Sequence, residues 1–325
     1  MRIVNYLFPT MFIFLLACGD NEKPPPLKQK ENKTYHNLSL RFKEGASRNY
    51  LGATSLQLDT IELTGLAEDY HKSLMKFTDY QGLKRAAIKY AQRTRITIKA
   101  VKPGGSAIVH GYPQKVSIQE ISVNDKVRKV PLPHNLPTDS STKPVIIELS
   151  NKKELKSLPE TEKLPAQSGI ESGLMSAIIK QVNRYQRLPD AGVHRGEKWT
   201  IPVKAELPFD KTFENGGMMK LNLTFINRLL DFKDNLITLS HSYSGSISIE
   251  AGTAYGKVQL RITVKGKGQT VLDSAIGMEQ SANMETDFSL TGSLSPIWKH
   301  AQQLGKPRLK VRGRVSYDLA PVVDG

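Results

Sequence analysis

The side chains best suited to chemistry are scattered along this 325-residue chain, not gathered into motifs. Histidines stand at 36, 71, 110, 134, 194, 241 and 300, none in the H-E-x-x-H, H-x-H or H-x3-H spacing that brings two imidazoles to one metal. There is no G-x-S-x-G elbow and no G-x-x-x-x-G-K-(S/T) loop. Lys265-Gly266-Lys267-Gly268 sits between strand-like segments and does not lead a helix, so it is not read as a phosphate cradle. Glu279, Glu285 and Asp287 lie close enough in sequence to flank a substrate as paired carboxylates, but they read better as solvated hairpin residues. No metal, no cofactor and no catalytic residue is expected.

Charge carries more. In "KPRLKVRGRVSY", Lys306, Arg308, Lys310, Arg312 and Arg314 fall on one face of a strand, and Leu309, Val311 and Val315 on the other. Looser versions set Arg93, Arg95 and Lys99 against Ile96, Ile98 and Val101, and Arg261, Lys265 and Lys267 against Ile262 and Val264. This is the look of a one-sided antiparallel sheet. If these strands adjoin, their cations form a stripe able to meet an anionic surface. The same pattern also serves as a soluble outer face with lysines guarding an edge.

The only cysteine, Cys18, follows an apolar run through Leu7, Phe8, Met11, Phe12, Ile13, Phe14, Leu15 and Leu16 that is preceded by one charge, Arg2. A positive start, an apolar core and small residues make a secretory signal, too short and too broken by Asn5 and Pro9 for a spanning helix of roughly 20 residues. Leu15-Leu16-Ala17-Cys18-Gly19 resembles the lipobox of bacterial lipoproteins. The resemblance implies cleavage between Ala17 and Cys18 and a diacylglycerol on the Cys18 thiol. It also implies attachment to a membrane of the cell envelope, with Gly19 leaning towards the outer membrane. The thiolate is the nucleophile such a thioether needs, and several acyl chains anchor where one does not. No disulfide is available to the rest of the chain.

Residues 1–17 are thus read as signal, and 18–37 as lipidated cysteine and tether. The tether is polar, holds Pro24-Pro25-Pro26, and spans on the order of 25 Å as a coil. The rest has ordinary globular composition and a formal charge of +15 for the whole chain, nearly all of it retained after the signal is removed. That balance fits an anionic neighbour such as phospholipid, lipopolysaccharide or an acidic glycan, nucleic acid being excluded by the exported setting, or it is compositional bias with no partner.

From Leu38 onwards the period is mostly two. An N-terminal β-rich half is placed at 38–145: "NLSLRFKEG" as a strand ending at Gly45, a hairpin about Lys102-Pro103-Gly104-Gly105, then strands at 116–123 and 127–132. Residues 51–92 are open between long strands and a helix on Leu74, Phe77, Leu83, Ala87 and Ile88. The second half, 146–325, opens with a strand at "VIIEL". An amphipathic helix over about 168–185 follows, its stripe running from Ile170 to Tyr185, and then a strand meander to the end. The expected fold is mainly β (β-rich α+β): a large curved antiparallel sheet or half-barrel with one prominent helix.

"LRFKEGASRNY", "PVIIELSNKKEL" and "RLPDAGVHRGEKWTIPV" together resemble a family of bacterial lipoproteins whose second half opens with Leu-Pro and a Val-x-x-Gly-(Asp/Glu)-x-Trp turn. The turn here is Val193 to Trp199, after Leu188-Pro189. The resemblance implies a β-meander, and it brings no established activity and no catalytic residues to carry over. Gly196 permits a positive φ, Trp199 starts a strand by burying a large ring, and "FKEG" hints at a degenerate duplication. The expected function is a non-catalytic, membrane-anchored envelope protein with a binding or structural role at an anionic surface. A carrier enclosing a lipid or other apolar ligand in a curved-sheet cavity and an envelope hydrolase with a dispersed site are the alternatives.

Overall fold

The computed structural model describes residues 34–68, 84–124, 126–128, 144–157, 187–208, 217–253, 256–296 and 305–322. The signal, Cys18, nearly all of the tether and the helix expected at 168–185 lie outside them. The strands are β1 (Tyr35–His36), β2 (Ser47–Leu66), β3 (Ala86–Val101), β4 (Ala107–Val123), β5 (Lys126–Arg128), β6 (Val145–Leu149), β7 (Leu155–Ser157), β8 (Val193–His194), β9 (Lys198–Pro208), β10 (Gly217–Lys233), β11 (Leu236–Thr253), β12 (Gly256–Asp273), β13 (Met278–Pro296) and β14 (Gly305–Pro321).

β1 and β8 form a small ribbon, and the others form one antiparallel sheet in the order β7-β6-β4-β3-β2-β14-β13-β12-β11-β10-β9, with β5 on β4. The two halves therefore share a sheet, joined where the last strand pairs with the first long one, as in Leu309 with Leu63. Within 51–92, residues 51–66 and 86–92 are strand: β2 runs to Leu66, and Ala87 and Ile88 lie at the start of β3.

Period-two sequence sorts the faces. On β10, Met219, Leu221, Leu223 and Phe225 are buried while Lys220, Asn222, Thr224 and Ile226 are exposed. On β11 the inward residues are Leu239, His241, Tyr243, Gly245 and Ile247, and every outward one from 240 to 248 is serine. The inward face packs on itself in a cluster reaching from Val203 on β9 through Phe225, Tyr243, Val264 and Phe288 to Val315 on β14, with Leu56 and Leu58 of β2 against it. Each fully buried aliphatic side chain there contributes about 1.5–3 kcal/mol. Glycine makes room at two crowded points. A Cβ on Gly313 would lie 2.9 Å from the Phe288 ring, and one on Gly52 3.3 Å from that of Tyr317.

The sheet is not closed, and β9 shows how its long edge is finished. Pro202 pairs with Thr224 and Pro208 with Met218. Lacking an N–H, each proline must turn its nitrogen to the open side, so two of that side's donors are missing and edge-to-edge pairing is blunted.

One end of the sheet is capped. Tight turns close it at 102–106, at Asp234-Asn235 with φ of 51° and 63°, and at 274–277. The segment expected to be a strand at 38–43 is instead an extended strap across this end. Its Leu40 N–H donates to Asn151 O (2.7 Å) and its Arg41 N–H to Ser274 O (2.7 Å). Leu38 and Leu40 are buried with Leu188, Val193, Leu229, Ile237, Leu239 and Leu272, and Phe42 reaches on to the cluster of Ile98, Val109 and Met278. The apolar alternation was real, but it serves packing without a ladder. At the other end the described strands stop at Leu66, Pro208, Thr253 and Pro296.

The hinted duplication has a structural counterpart. Gly45 (φ 78°) donates to Ile98 O, and Ile98 N–H returns to Ala46 O; Gly196 (φ 84°) donates to Leu229 O, and Leu229 N–H returns to Glu197 O. In both turns the next residue's N–H bonds back three residues, to Lys43 O and to His194 O. Each turn then launches a strand, β2 or β9, alongside the strand that grips it.

Candidate functional site

The site is best built outward from β14. Its ladder to β13 runs without a break, from Arg308 opposite Ser293 to Leu319 opposite Ala282, so even-numbered residues keep to one face. Lys306, Arg308, Lys310, Arg312 and Arg314 all lie on the polar face, and Gly313 and Val315 are buried on the other. β2 follows this register by a bulge at Asp59, which leaves Thr60, Glu62 and Thr64 on the same polar side.

The expected stripe of adjoining basic strands is not what the order gives. β13 separates β12 from β14, and β2 separates β14 from β3. Cationic strands alternate with strands of hydroxyls and carboxylates, which suits cross-strand attraction and avoids like charges directly opposite. Near the middle of β13 the compensation is direct. Arg314 Nε lies 2.9 Å from Asp287 Oδ1 and 3.4 Å from Glu285 Oε1, and Lys267 Nζ lies 3.9 Å from Glu285 Oε2. Farther along, β13 offers only hydroxyls on this face, Ser289, Thr291, Ser293 and Ser295, and compensation thins. Lys310 keeps one partner, Glu62 at 3.2 Å. Arg261, Arg308 and Arg312 are exposed and make no ion pair with a described residue.

Two transverse rows cross this region. One runs Ser248, Arg261, Thr291, Lys310, Glu62 and the next Glu250, Gln259, Ser293, Arg308, Thr64, from β11 to β2. The sheet bends so that these rows line an open trough of about 570 Å³. Single-sequence reading found the arginines of β14 by alternation but missed the contribution of Ser248, Thr291 and Ser293. Their signal is the run of outward serines and threonines on β11 and β13.

The remaining polar groups of interest gather at the capped end and are structural. Lys152 Nζ donates to Asn37 Oδ1 (3.0 Å), Leu38 O (2.8 Å) and Pro189 O (3.0 Å), which uses all three of its protons. Burial pushes this ammonium below the ordinary lysine range. Lys153, in the left-handed region at φ 59°, pairs with Glu279. Tyr50 Oη and Arg48 Nη1 both donate to Glu279 O, at 2.7 and 2.8 Å. Burial first, and the Glu279 charge second, hold the Tyr50 and Tyr317 phenols above their usual pKa. His241, 3 % exposed, meets Asn227 Oδ1 at 2.8 Å through Nδ1 and Thr270 Oγ1 at 2.9 Å through Nε2. A carbonyl accepts from one ring nitrogen and a hydroxyl can donate to the other, so the network suits neutral imidazole. Burial, with Lys153 nearby, pushes its pKa down to about 3.

The three carboxylates do not converge. Glu285 and Asp287 face the cations of the polar side. A bulge opposite Val271-Leu272 turns Glu279 to the other face, beside Leu272. Among the described residues no group of three His, Cys, Asp or Glu could hold a metal. The turn at Val193–Trp199 is as expected: Gly196 has its positive φ, and Trp199 packs on the leucine cluster while its Nε1 donates to Arg187 O (3.0 Å).

No family model matches the chain, and no curated protein does. Solved structures with some similarity include an outer membrane channel from Pseudomonas putida F1, at 7 % identity and TM-score 0.18, covering 91 % of this chain and 100 % of that one. Salmonella typhi OmpF in complex with daunomycin is 7 % identical, with TM-score 0.22 and coverage of 84 % and 98 %. Pseudomonas aeruginosa OpdQ is 6 % identical, with TM-score 0.18 and coverage of 85 % and 99 %. Likenesses this distant carry no argument about function.

Proposed function

We propose that the chain is a non-catalytic lipoprotein of the bacterial envelope, tied to a membrane (the outer one where there are two) through Cys18. In this reading its polar sheet face binds anionic groups of lipid, lipopolysaccharide or glycan. The observation that carries it is the set Arg261, Arg308 and Arg312, exposed around a row of hydroxyls and left without ion pairs by the described residues. Around Arg314, by contrast, the face pairs its cation directly with Glu285 and Asp287.

The inward face is packed side chain on side chain from β9 to β2, which favours surface binding over a carrier's apolar chamber. For a hydrolase, the trough's two carboxylates, Glu62 and Glu250, stand on β2 and β11, four strand spacings or roughly 19 Å apart along the sheet. Paired glycosidase carboxylates work at about 5–9.5 Å. Co-sedimentation of the mature protein with phosphatidylglycerol vesicles and with lipopolysaccharide tests the proposal. Binding that weakens as salt rises is expected, and no binding at low ionic strength overturns it. Palmitate labelling that is lost in Cys18→Ser is the expected result for the anchor; equal labelling of both proteins overturns it.

A further inference from the structure

The trough combines chemistry that a membrane surface alone does not explain. Arg261 and Lys310 stand in one transverse row with Thr291 between them, and Arg308 stands in the next row. By sheet spacing the first two are about 10 Å apart at the backbone, and Arg308 is about 7 Å further along the strand. All three line the same concave surface around the Thr291 hydroxyl, with the Lys310 ammonium held beside Glu62 at 3.2 Å on the β2 side. Two guanidinium forks and an ammonium around hydroxyl donors match the oxygens of a phosphate monoester, which accepts bidentate hydrogen bonds from arginine.

The walls add a second requirement. Glu62 and Glu250 line the trough on its opposite flanks. Carboxylates only accept hydrogen bonds and repel a second anion, so they call for hydroxyl donors on whatever fills the space beyond the phosphate. At about 570 Å³ the depression is in the size range of small-molecule sites and leaves room beside a phosphate for sugar rings. Its position also matters. The trough lies at the uncapped end, about nine residues or roughly 30 Å along β11 from Leu239 of the capping cluster, and the tether enters at that capped end through Leu38 and Leu40.

We propose that the trough is a binding site for a phosphorylated saccharide, with Arg261, Arg308 and Lys310 on the phosphate and Glu62 and Glu250 on sugar hydroxyls. This rests on the reading of the polar face as anion-binding and gives one place on it a ligand class. The test is calorimetric titration of the mature full-length protein with glucose 6-phosphate, inorganic phosphate and glucose, alongside phosphatidylglycerol vesicles. Glucose 6-phosphate should bind at least tenfold more tightly than either inorganic phosphate or glucose. Arg261→Gln and Arg308→Gln should each weaken it tenfold or more with unchanged melting. Glu250→Gln should weaken glucose 6-phosphate but not inorganic phosphate, and Arg314→Gln should change neither. Equal affinity for the sugar phosphate and inorganic phosphate, or affinity untouched by Arg308→Gln, overturns the proposal. Vesicle binding without saccharide binding overturns the trough alone; absence of both overturns the wider reading as well.

Discussion

At the capped end of the sheet, Lys152 and Lys153 turn inward and are bonded, one on three oxygens of the strap and the Pro189 segment and the other on Glu279. At the far end Arg261 and Arg308 turn to water and engage no described carboxylate. The same charge type therefore does opposite work. Sheltered and bonded, a cation ties three chain segments together, and its loss leaves oxygens unpaired. Exposed and unpaired, it contributes little to folding and leaves its hydrogen-bonding capacity for something outside the molecule.

If the two ends differ in this way, damage to the capped end should show in stability and not in binding. Lys153→Met strands the partly buried Glu279 carboxylate and should cost about 3 kcal/mol in denaturant unfolding, at the low end for a broken buried pair because some water reaches it. Lys152→Met should follow closely, with its three oxygens left unmet.

Acid provides a second probe of that end. An unfolded histidine takes up a proton below its ordinary pKa of about 6.5, whereas folded His241 resists until about 3. The unfolded chain then binds the extra proton, so stability present above pH 6.5 is lost as pH falls towards 3. Between pH 7 and 5 the loss from this residue should be roughly 2 kcal/mol. Thermal melts across that range should be flatter for His241→Gln than for the native chain.

Smaller effects sharpen the comparison of the two glycine turns. Gly45→Ala and Gly196→Ala should each cost about 1–2 kcal/mol, since the left-handed backbone penalises any Cβ, and the two costs should add. Unequal costs would mean that the shared hydrogen-bond pattern hides different strain. Smallest of all, Arg314→Gln should change stability by less than about 0.5 kcal/mol despite its two carboxylate neighbours, because the pair is exposed.

The legibility of this fold in its sequence follows the range of the interactions. Alternation is local, so the faces of β10, β12 and β14 and the turn ending at Trp199 could be read directly. Strand order is not local: nothing within "KPRLKVRGRVSY" says that β13 and β2 flank it with acids and hydroxyls, and so the expected cationic stripe became an interleaved face. Bulges are equally hidden. One residue's slip opposite Val271-Leu272 moved Glu279 away from Glu285 and Asp287, whose spacing had grouped the three. Leu38, Leu40 and Phe42 alternate as a strand does, but their partners are the carbonyls of Asn151 and Ser274 and a leucine cluster, none of them near in sequence.

The account turns on uncompensated cations at the open end. Salt-dependent binding of the mature protein to phosphatidylglycerol vesicles should be measured for two double variants, Arg308→Gln with Arg312→Gln and Lys267→Gln with Arg314→Gln. Both remove two positive charges. The first should lose most of the binding and much of its salt dependence, while the second stays close to native. Equal losses in both, or the greater loss in the second, would show that net charge governs the contact and would contradict the assignment of the binding face.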